Sequence, residues 1–325
     1  MAKERIYLFD TTLRDGQQTP GVDFSVEDKI AIANMLDAFG MDYVEGGYPG
    51  ANPTDTAFFS KKRTGRTGFV AFGMTKRAGV SVSNDPGLNE LLRAKSDHIC
   101  FVAKSWDYHV KVALGCTNEE NLESIDLSVK AAIEAGKGAM IDCEHFFDGY
   151  KANPAYALAC ARTAYEAGAR WIVLCDTNGG TLPHEVETIV GEVAKRIPGS
   201  HLGIHTHNDT ENAVSNSIAA VRAGVRLVQG TLNGLGERCG NANLLSLIPT
   251  LSVKMGYDVG IAKDGMARLV HISRMLDERL NRTPNRHAAY VGESAFAHKG
   301  GLHVSAVEKD PTSYEHVDPA LVGNR

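Results

Sequence analysis

The feature of the sequence that most constrains the fold is an alternation, repeated eight times, of short apolar runs with longer amphipathic stretches. Apolar runs of this length, bounded by glycine or polar residues, predict buried strands, and the stretches between them predict helices. A chain with this alternation forms a parallel sheet covered by helices. The predicted strands are Ile6–Asp10, Tyr43–Gly47, Gly68–Gly73, His98–Ala103, Gly138–Glu144, Trp171–Asp176, Leu202–His207 and Leu227–Leu232.

Local signals mark where the helices between these strands begin and end. Ser25 with Asp28, and Thr117 with Glu120, have the spacing of a capping box at a helix start. Eight strand–helix units predict an α/β fold, a (β/α)8 TIM barrel, although an open doubly wound sheet has the same local alternation. Glycines in the sequences AFG, EAG, EAG and RAG mark predicted helix ends at Gly40, Gly136, Gly168 and Gly224.

The alternation stops after about Tyr257, and the last part of the chain has a different pattern. One further helix is predicted at Lys263–Leu280, followed by an irregular stretch that is rich in glycine and polar residues. We therefore predict a TIM-barrel catalytic domain over residues 1–257 and a small linker or lid subdomain over residues 258–325.

Composition excludes several classes of function. The chain is 43% hydrophobic and 22% charged, with a formal net charge of -5, so it has no basic excess that would attract nucleic acid or an anionic membrane. It has neither the apolar core of a signal peptide nor an apolar run long enough to span a bilayer, and we predict a cytoplasmic protein. The six cysteines lie far apart without a CxxC pair, which indicates reduced thiols.

Polar residues follow nearly every predicted strand. A barrel gathers the C-terminal ends of its strands around one opening, so these side chains are expected to share one site. They are Asp10, Arg14 and Asp15 after the first strand, Glu45 after the second, Lys104 after the fourth, Glu144 after the fifth, Asp176 and Thr177 after the sixth, His205 and His207 after the seventh, and Asn233, Glu237, Arg238 and Asn241 after the eighth.

The sequence IHTHND places two histidines at the end of the seventh strand. Residues i and i+2 of a strand point to one face, about 6 to 7 Å apart, so His205 and His207 can reach one ion. Asp15, turned inward at Gly16, is the candidate anionic ligand, and Asn241 offers a neutral oxygen. The alternative is a pair of hydrogen-bonded histidines without a metal. The ligand types predict a divalent ion (Zn, Mn or Mg).

A divalent ion with one carboxylate ligand keeps a net positive charge, which favours an anionic, chelating substrate such as a 2-oxo acid. Arg14 is placed to stabilise the oxygen that becomes negative when the oxo carbon is attacked. This combination indicates aldol or Claisen-type condensation, or its reverse. Lys104 as the Schiff-base lysine of a metal-free aldolase is the alternative, and we interpret it as a solvated lysine. Glu45 is interpreted as a residue that bonds neighbouring strands, and contact with the substrate is the alternative.

Three motifs, FDTTLRDGQQTPG, GIHTHND and NGLGERCGNANL, resemble those of the metal-dependent acyl-CoA condensing enzymes on a TIM barrel, the 2-isopropylmalate, homocitrate and citramalate synthases. The segments VEGGYPGANPTDTAFF, EHFFDGYKANP, LCDTNGGTLP and AFAHKGGLHVSAV resemble the citramalate branch of that family. The resemblance implies condensation of acetyl-CoA, as co-substrate, with pyruvate to give (R)-citramalate and CoA, in isoleucine biosynthesis.

The resemblance also implies roles for particular residues. Arg14 and Glu144 would be catalytic. Both would also contact the oxo acid, and Thr177 would contact it without a catalytic role. His303 would activate acetyl-CoA in the site of a partner subunit, which implies a homodimer. Tyr314 lies in a stretch that matches the family only loosely and would bind substrate. The implied metal ligands are Asp15, His205, His207 and Asn241.

Related activities remain open alternatives. A 2-isopropylmalate or homocitrate synthase would differ mainly in pocket size, and an acyl-CoA lyase would place a reactive cysteine in a glycine-rich loop, whereas Cys239 lies in the synthase-like text GERCGN. A metal-holding scaffold without activity would lack a ligand or Arg14, and none is missing. Members of this family usually continue into a C-terminal regulatory domain, and we expect that the chain ends before it.

Overall fold

A computed structural model describes residues 3–61 and 65–325. Within these residues, eight parallel strands pair in sequence order, and the last pairs with the first to close a barrel. The prediction of a (β/α)8 barrel is confirmed, and an open doubly wound sheet is excluded. The strands are β1 (Tyr7–Asp10), β2 (Tyr43–Gly47), β3 (Gly68–Met74), β4 (His98–Lys104), β5 (Gly138–Glu144), β6 (Trp171–Asp176), β7 (Leu202–Thr206) and β8 (Leu227–Gly230).

Helices connect the strands and begin where the sequence signals predict. The Ser25 hydroxyl accepts the Asp28 N–H, and the Thr117 hydroxyl accepts the Glu120 N–H, so both capping boxes are present. Gly40 ends the first helix with a φ of 103°, in the left-handed region that glycine adopts without strain. The α-helices are α1 (Val26–Phe39), α2 (Pro53–Ser60), α3 (Pro86–Arg93), α4 (Asp107–His109), α5 (Asn118–Glu134), α6 (Phe146–Ala152), α7 (Pro154–Glu166), α8 (Pro183–Ala194), α9 (Ala213–Arg222), α10 (Leu244–Pro249), α11 (Lys263–Met266), α12 (Leu269–Arg279) and α13 (Gly301–Lys309).

The barrel interior is apolar at its centre and becomes polar towards the C-terminal ends of the strands. Because side chains alternate along a strand, every second residue continues the inner face. Met140 in β5 is thus followed by Asp142 and Glu144, and Leu227 in β8 is followed by Gln229. This change of polarity places the charged groups at one mouth. The central apolar layer consists of Phe9, Val70, Cys100, Met140, Trp171, Val173, Cys175 and Leu227.

The C-terminal region differs from the single helix predicted at Lys263–Leu280. The structure has two helices, α11 and α12, separated by Ala267 and Arg268. The backbone of Gly323 packs against the break, where an added Cβ would lie 2.0 Å from the Ala267 carbonyl oxygen. The α12 helix rests on the barrel, since Arg279 Nη1 lies 3.0 Å from Asp28 Oδ1 of α1. The domain boundary at residue 257 stays a prediction.

In contrast, α13 is poorly covered by the rest of the chain. None of its residues is buried, and Leu302 is 78% exposed. None of the helices in residues 3–61 and 65–325 combines the length and apolar content needed to cross a lipid bilayer.

Candidate active site

A tight turn after β1 brings Asp15 to the barrel mouth. The Asp10 carboxylate accepts both the backbone N–H and the hydroxyl of Thr12, each at 2.9 Å, and the Asp15 N–H donates to the Thr11 carbonyl at 2.8 Å. These bonds hold the chain in a turn in which Asp15 is only 2% exposed. A carboxylate that the sequence places five residues after the strand end is therefore directed back over the barrel opening.

Asp15, His205 and His207 meet at this opening. Their candidate ligand atoms lie within 4.8 Å of one another, and all three residues are buried. Asp15 Oδ2 is 3.2 Å from His205 Nε2 and 3.7 Å from His207 Nε2. Asn241 is paired with His207 through the backbone, and its amide Nδ2 donates to the Leu235 carbonyl at 3.0 Å, so its Oδ1 is left as a possible ligand.

The hydrogen bonding of these groups fits a cation. Within the described residues, the buried oxygens Asp15 Oδ2 and Asn241 Oδ1 receive no hydrogen bond. His205 Nδ1 lies 2.8 Å from the Gln229 amide oxygen and therefore carries the proton, which leaves Nε2 as an acceptor facing Asp15. Two acceptors 3.2 Å apart require a proton or a metal ion to neutralise them. Two imidazoles, a carboxylate and an amide oxygen suit a divalent ion with positions open for substrate.

Charges at the site shift these groups in opposite directions. Burial alone would raise the pKa of Asp15, but the positive charge of Arg14 and the neighbouring imidazoles of His205 and His207 outweigh it and hold that pKa well below its usual range. Burial opposes a charged His205, and Asp15 outweighs it and raises the pKa of this imidazole. Burial and the charge of His205 lower the pKa of His207 to about 4. Near neutral pH, Asp15 and His207 thus have the protonation that a metal ligand requires.

Arg14 is held beside this group by two contacts. Its Nε donates to Glu45 Oε2 at 2.7 Å, and its guanidinium lies over the Phe72 ring, with Cζ 3.9 Å from the ring centroid. Glu45 is fully buried, and burial raises its pKa to about 7 against the opposing charge of Arg14. The Glu45 carboxylate thus links β2 to the turn that follows its neighbour β1, as expected of a residue that bonds neighbouring strands.

A cavity of about 280 Å3 opens above these residues. The Lys104 ammonium pairs with the Glu144 carboxylate on one side, and the two residues are register partners in β4 and β5. Lys104 is therefore not the solvated lysine that we expected. The lining residues are Arg14, Asp15, Gln18, Phe72, Met74, Val102, Asp142, Glu144, Cys175, Thr177, His205, His207 and Glu237.

Thr177 contributes a hydroxyl with a defined role in this cavity. Its Oγ1 accepts the backbone N–H of His145 at 2.8 Å. His145 reaches this position through a left-handed backbone, with a φ of 54°. Because the oxygen of Thr177 is used as an acceptor, its own O–H remains available to donate to a bound anion.

Of the predicted site residues, six line the cavity, Asn241 lies beside His207 without being part of the lining, and two lie elsewhere. His303 and Tyr314 are not among the described residues that line the cavity. Their rings stack on each other in the tail, with centroids 4.3 Å apart and an interplanar angle of 27°. The predicted residues in the lining are Arg14, Asp15, Glu144, Thr177, His205 and His207.

Several residues of the site were not predicted from the sequence. Phe72, Met74 and Val102 form an apolar wall, and Asp142 lines the same cavity below them. The signal for all four was the alternation along β3, β4 and β5, because each lies on the inner face of its strand. Gln229 carried the same signal in β8, but the identity of its partners could not be inferred from it, since they come from other strands.

Comparison with known proteins places the chain in a family. A profile of the HMGL-like family matches residues 5–274. The chain belongs to the HMGL-like family. Residues 290–325 of this HMGL-like chain match a second profile, described as homocitrate synthase post-HMGL domain-like.

Two of the similar relatives are both named (R)-citramalate synthase. The chain is 50% identical to an (R)-citramalate synthase of Aquifex aeolicus over 99% of this chain and 61% of that protein. It is 51% identical to an (R)-citramalate synthase of Geobacter sulfurreducens, over 98% of this chain and 61% of that protein. The chain thus spans 61% of the length of these relatives.

The fold is also that of a solved structure. The crystal structure of the HMG-CoA lyase of Bacillus subtilis superimposes with a TM-score of 0.73 at 19% identity, covering 87% of this chain and 97% of that one. At this identity the likeness establishes the barrel fold alone.

Proposed function

We propose that this chain catalyses the metal-dependent condensation of acetyl-CoA with pyruvate to give (R)-citramalate and CoA, as an acyltransferase of isoleucine biosynthesis in the cytoplasm. The observation that carries the proposal is the meeting of Asp15, His205 and His207 beside Arg14 at the barrel mouth, with the acceptor atoms of Asp15 and His205 facing each other. Relatives that share half of its residues are named (R)-citramalate synthase, which supports (R)-citramalate as the product, and we propose pyruvate as the acceptor that gives it.

The cavity supports a small 2-oxo acid as the bound substrate. We assign its carboxylate to the Thr177 hydroxyl, which has a free proton to donate, and its carbonyl oxygen to Arg14. Its methyl group would face the apolar wall of Phe72, Met74 and Val102. A larger acceptor side chain would have to fit against the same wall, and we therefore propose pyruvate over branched or dicarboxylic oxo acids.

The metal site is part of the proposal. Asp15, His205, His207 and Asn241 would hold the ion (zinc, manganese or magnesium), which when bound supplies a Lewis acid for the oxo-acid carbonyl. Arg14 then stabilises the same oxygen as it becomes negative, because its guanidinium stays charged throughout and is fixed by Glu45.

The reaction also requires a base for the methyl group of acetyl-CoA. We propose His303 of a second copy for this role, with Tyr314 beside it, and Glu144 as the residue that orients the acceptor. A proton leaves the acetyl methyl group, its carbon bonds to C2 of pyruvate, the carbonyl oxygen takes up a proton, and water cleaves the thioester to release CoA. The uncovered surface of α13, with Leu302 78% exposed, supports a homodimer in which this segment docks on the partner.

Isotope labelling tests this function. Acetyl-CoA carrying 13C in its methyl group, incubated with pyruvate, a divalent ion and the protein, is expected to give citramalate with the label on the carbon bonded to C2, and one CoA per product. The second candidate, an acyl-CoA lyase, is suggested by the shared barrel alone. Cleavage of hydroxymethylglutaryl-CoA without labelled citramalate would establish the lyase and contradict the proposal.

A further inference from the structure

Gln229 joins His205 to a carboxylate across the barrel interior. It lies on the inner face of β8, is fully buried, and follows the apolar layer residue Leu227 by two positions. Its Oε1 accepts the His205 Nδ1–H at 2.8 Å, and its Nε2 donates to Asp142 Oδ1 of β5, also at 2.8 Å. The result is a chain of hydrogen bonds from Asp142 through Gln229 to His205.

The direction of this chain is set at its Asp142 end. Burial raises the pKa of Asp142 above its ordinary value, and the charges of His205 and Arg14 only partly offset this effect. In either ionisation state its Oδ1 can accept the Gln229 Nε2–H at 2.8 Å, and this bond selects the NH2 group of the amide. The amide oxygen must then face His205, and the only hydrogen-bonding arrangement that satisfies it places the imidazole proton on Nδ1.

We propose that Gln229 is a positioning residue that fixes the tautomer of His205, so that the Nε2 lone pair is directed at the metal site. This inference rests on the metal site of the proposed function. Without an acceptor beside Nδ1, the imidazole is free to carry its proton on Nε2, which would then donate to Asp15 and occupy the space between the two ligands. Outer partners of metal-bound histidines commonly act in this way.

Metal affinity of substituted proteins tests the role of Gln229. Gln229→Met keeps the size of the side chain and removes both hydrogen bonds, and we expect a 10- to 100-fold weaker affinity for zinc, measured by competition with a chromophoric chelator (about the range for outer partners of metal ligands). Gln229→Glu keeps an acceptor for Nδ1–H, and a proton shared between its second oxygen and Asp142 would replace the amide donor, so this variant should restore most of the affinity. An affinity of Gln229→Met within about threefold of wild type would overturn the proposal.

A matched control separates this effect from a general loss of stability. Asn216 is a buried amide of α9 that donates to the Thr181 carbonyl at 2.7 Å and to Asp176 Oδ2 at 3.4 Å, and among the described residues its side chain has no hydrogen bond to a residue of the proposed metal site. Asn216→Leu should lower the thermal unfolding temperature while leaving zinc affinity unchanged. If it weakened zinc binding as much as Gln229→Met, the effect would be general and the positioning role of Gln229 would be contradicted.

The position of the proton can also be observed directly, which keeps the inference testable if Gln229→Met does not fold. In wild-type protein labelled with 15N-histidine, we expect a slowly exchanging proton on His205 Nδ1, both with and without zinc. A proton on Nε2 with Nδ1 bare would overturn the inference. If wild type bound no divalent metal, the proposed function would fail, whereas the proton on Nδ1 in metal-free protein would still decide the tautomer.

Discussion

Replacing Arg14 with lysine separates charge from geometry at the proposed oxyanion position. The arginine uses Nε to bind Glu45 at 2.7 Å and has Nη1 3.4 Å from Asp15. Among residues 3–61 and 65–325, no other hydrogen bond engages its guanidinium, so its remaining donors can reach a substrate oxygen. A lysine has one nitrogen in place of three. It can bind Glu45 or the substrate, but it cannot hold both in the arrangement that the guanidinium allows.

The size of the expected fall in kcat depends on which partner the single lysine ammonium binds. Glu45 is completely buried, and leaving such a carboxylate without its partner costs about 3 to 5 kcal/mol. The lysine therefore stays with Glu45, and the developing negative charge loses one donor. Loss of one such donor costs about 2.7 to 4 kcal/mol in the transition state, which predicts a fall in kcat of about 100- to 1,000-fold with a small change in KM for pyruvate.

The assay is the steady-state release of CoA from acetyl-CoA and pyruvate, with Arg5→Lys as the matched control. Arg5 also pairs with a carboxylate, Asp42 at 2.6 Å, and also lies over an aromatic ring, that of Tyr7 at 4.9 Å, but it precedes β1 at the opposite end of the barrel. The control should keep kcat within about twofold, as for surface substitutions away from the site. A kcat for Arg14→Lys within tenfold of wild type would refute the role of the guanidinium.

Three further predictions address the metal, the acceptor and pH. His207→Ala should abolish condensation with every oxo acid and lower bound metal, as measured by elemental analysis, and unchanged turnover would remove the metal from the account. Val102→Ala should raise kcat/KM for 2-oxobutanoate relative to pyruvate by about tenfold, because it makes room for one methylene group. An unchanged ratio would exclude Val102 from the apolar wall that faces the oxo acid. Burial raises the pKa of Asp10 to about 7 against its bonds to Thr12, so this group favours folding at low pH and loses that contribution as pH rises to about 7. In urea unfolding, the stability of wild type relative to Asp10→Asn should therefore fall between about pH 4 and 7, by at most about 4 kcal/mol; a difference that is independent of pH would contradict the shift.

The site residues at the ends of the strands could be predicted from the sequence, because in a barrel the spacing of residues along a strand determines which side chains face the interior. His205 and His207 share a face through the period of two, and the closure of β8 on β1 brings their neighbourhood to Asp15. Lys104 and Glu144 are register partners, and aligning β4 with β5 would have predicted their pairing. The polar mouth could therefore be predicted from local sequence alone, because polar residues follow nearly every strand.

What could not be predicted depends on contacts between distant parts of the chain. Gln229 and Asp142 are 87 residues apart, on strands that are not neighbours, and no pattern in either strand signals that their side chains meet. Gly323, far along the tail, packs closely against the break between α11 and α12. Local periodicity contains neither contact, because both arise from how elements pack after they form.

The central claim is that pyruvate and acetyl-CoA are the substrates of this metal-dependent site. The most direct test is to measure kcat/KM for CoA release with pyruvate, 2-oxoisovalerate and 2-oxoglutarate in parallel, with and without a divalent ion. The account predicts that pyruvate is preferred by at least about tenfold and that turnover stops when the ion is removed. Preference for a larger oxo acid, or undiminished turnover without a metal, would contradict it.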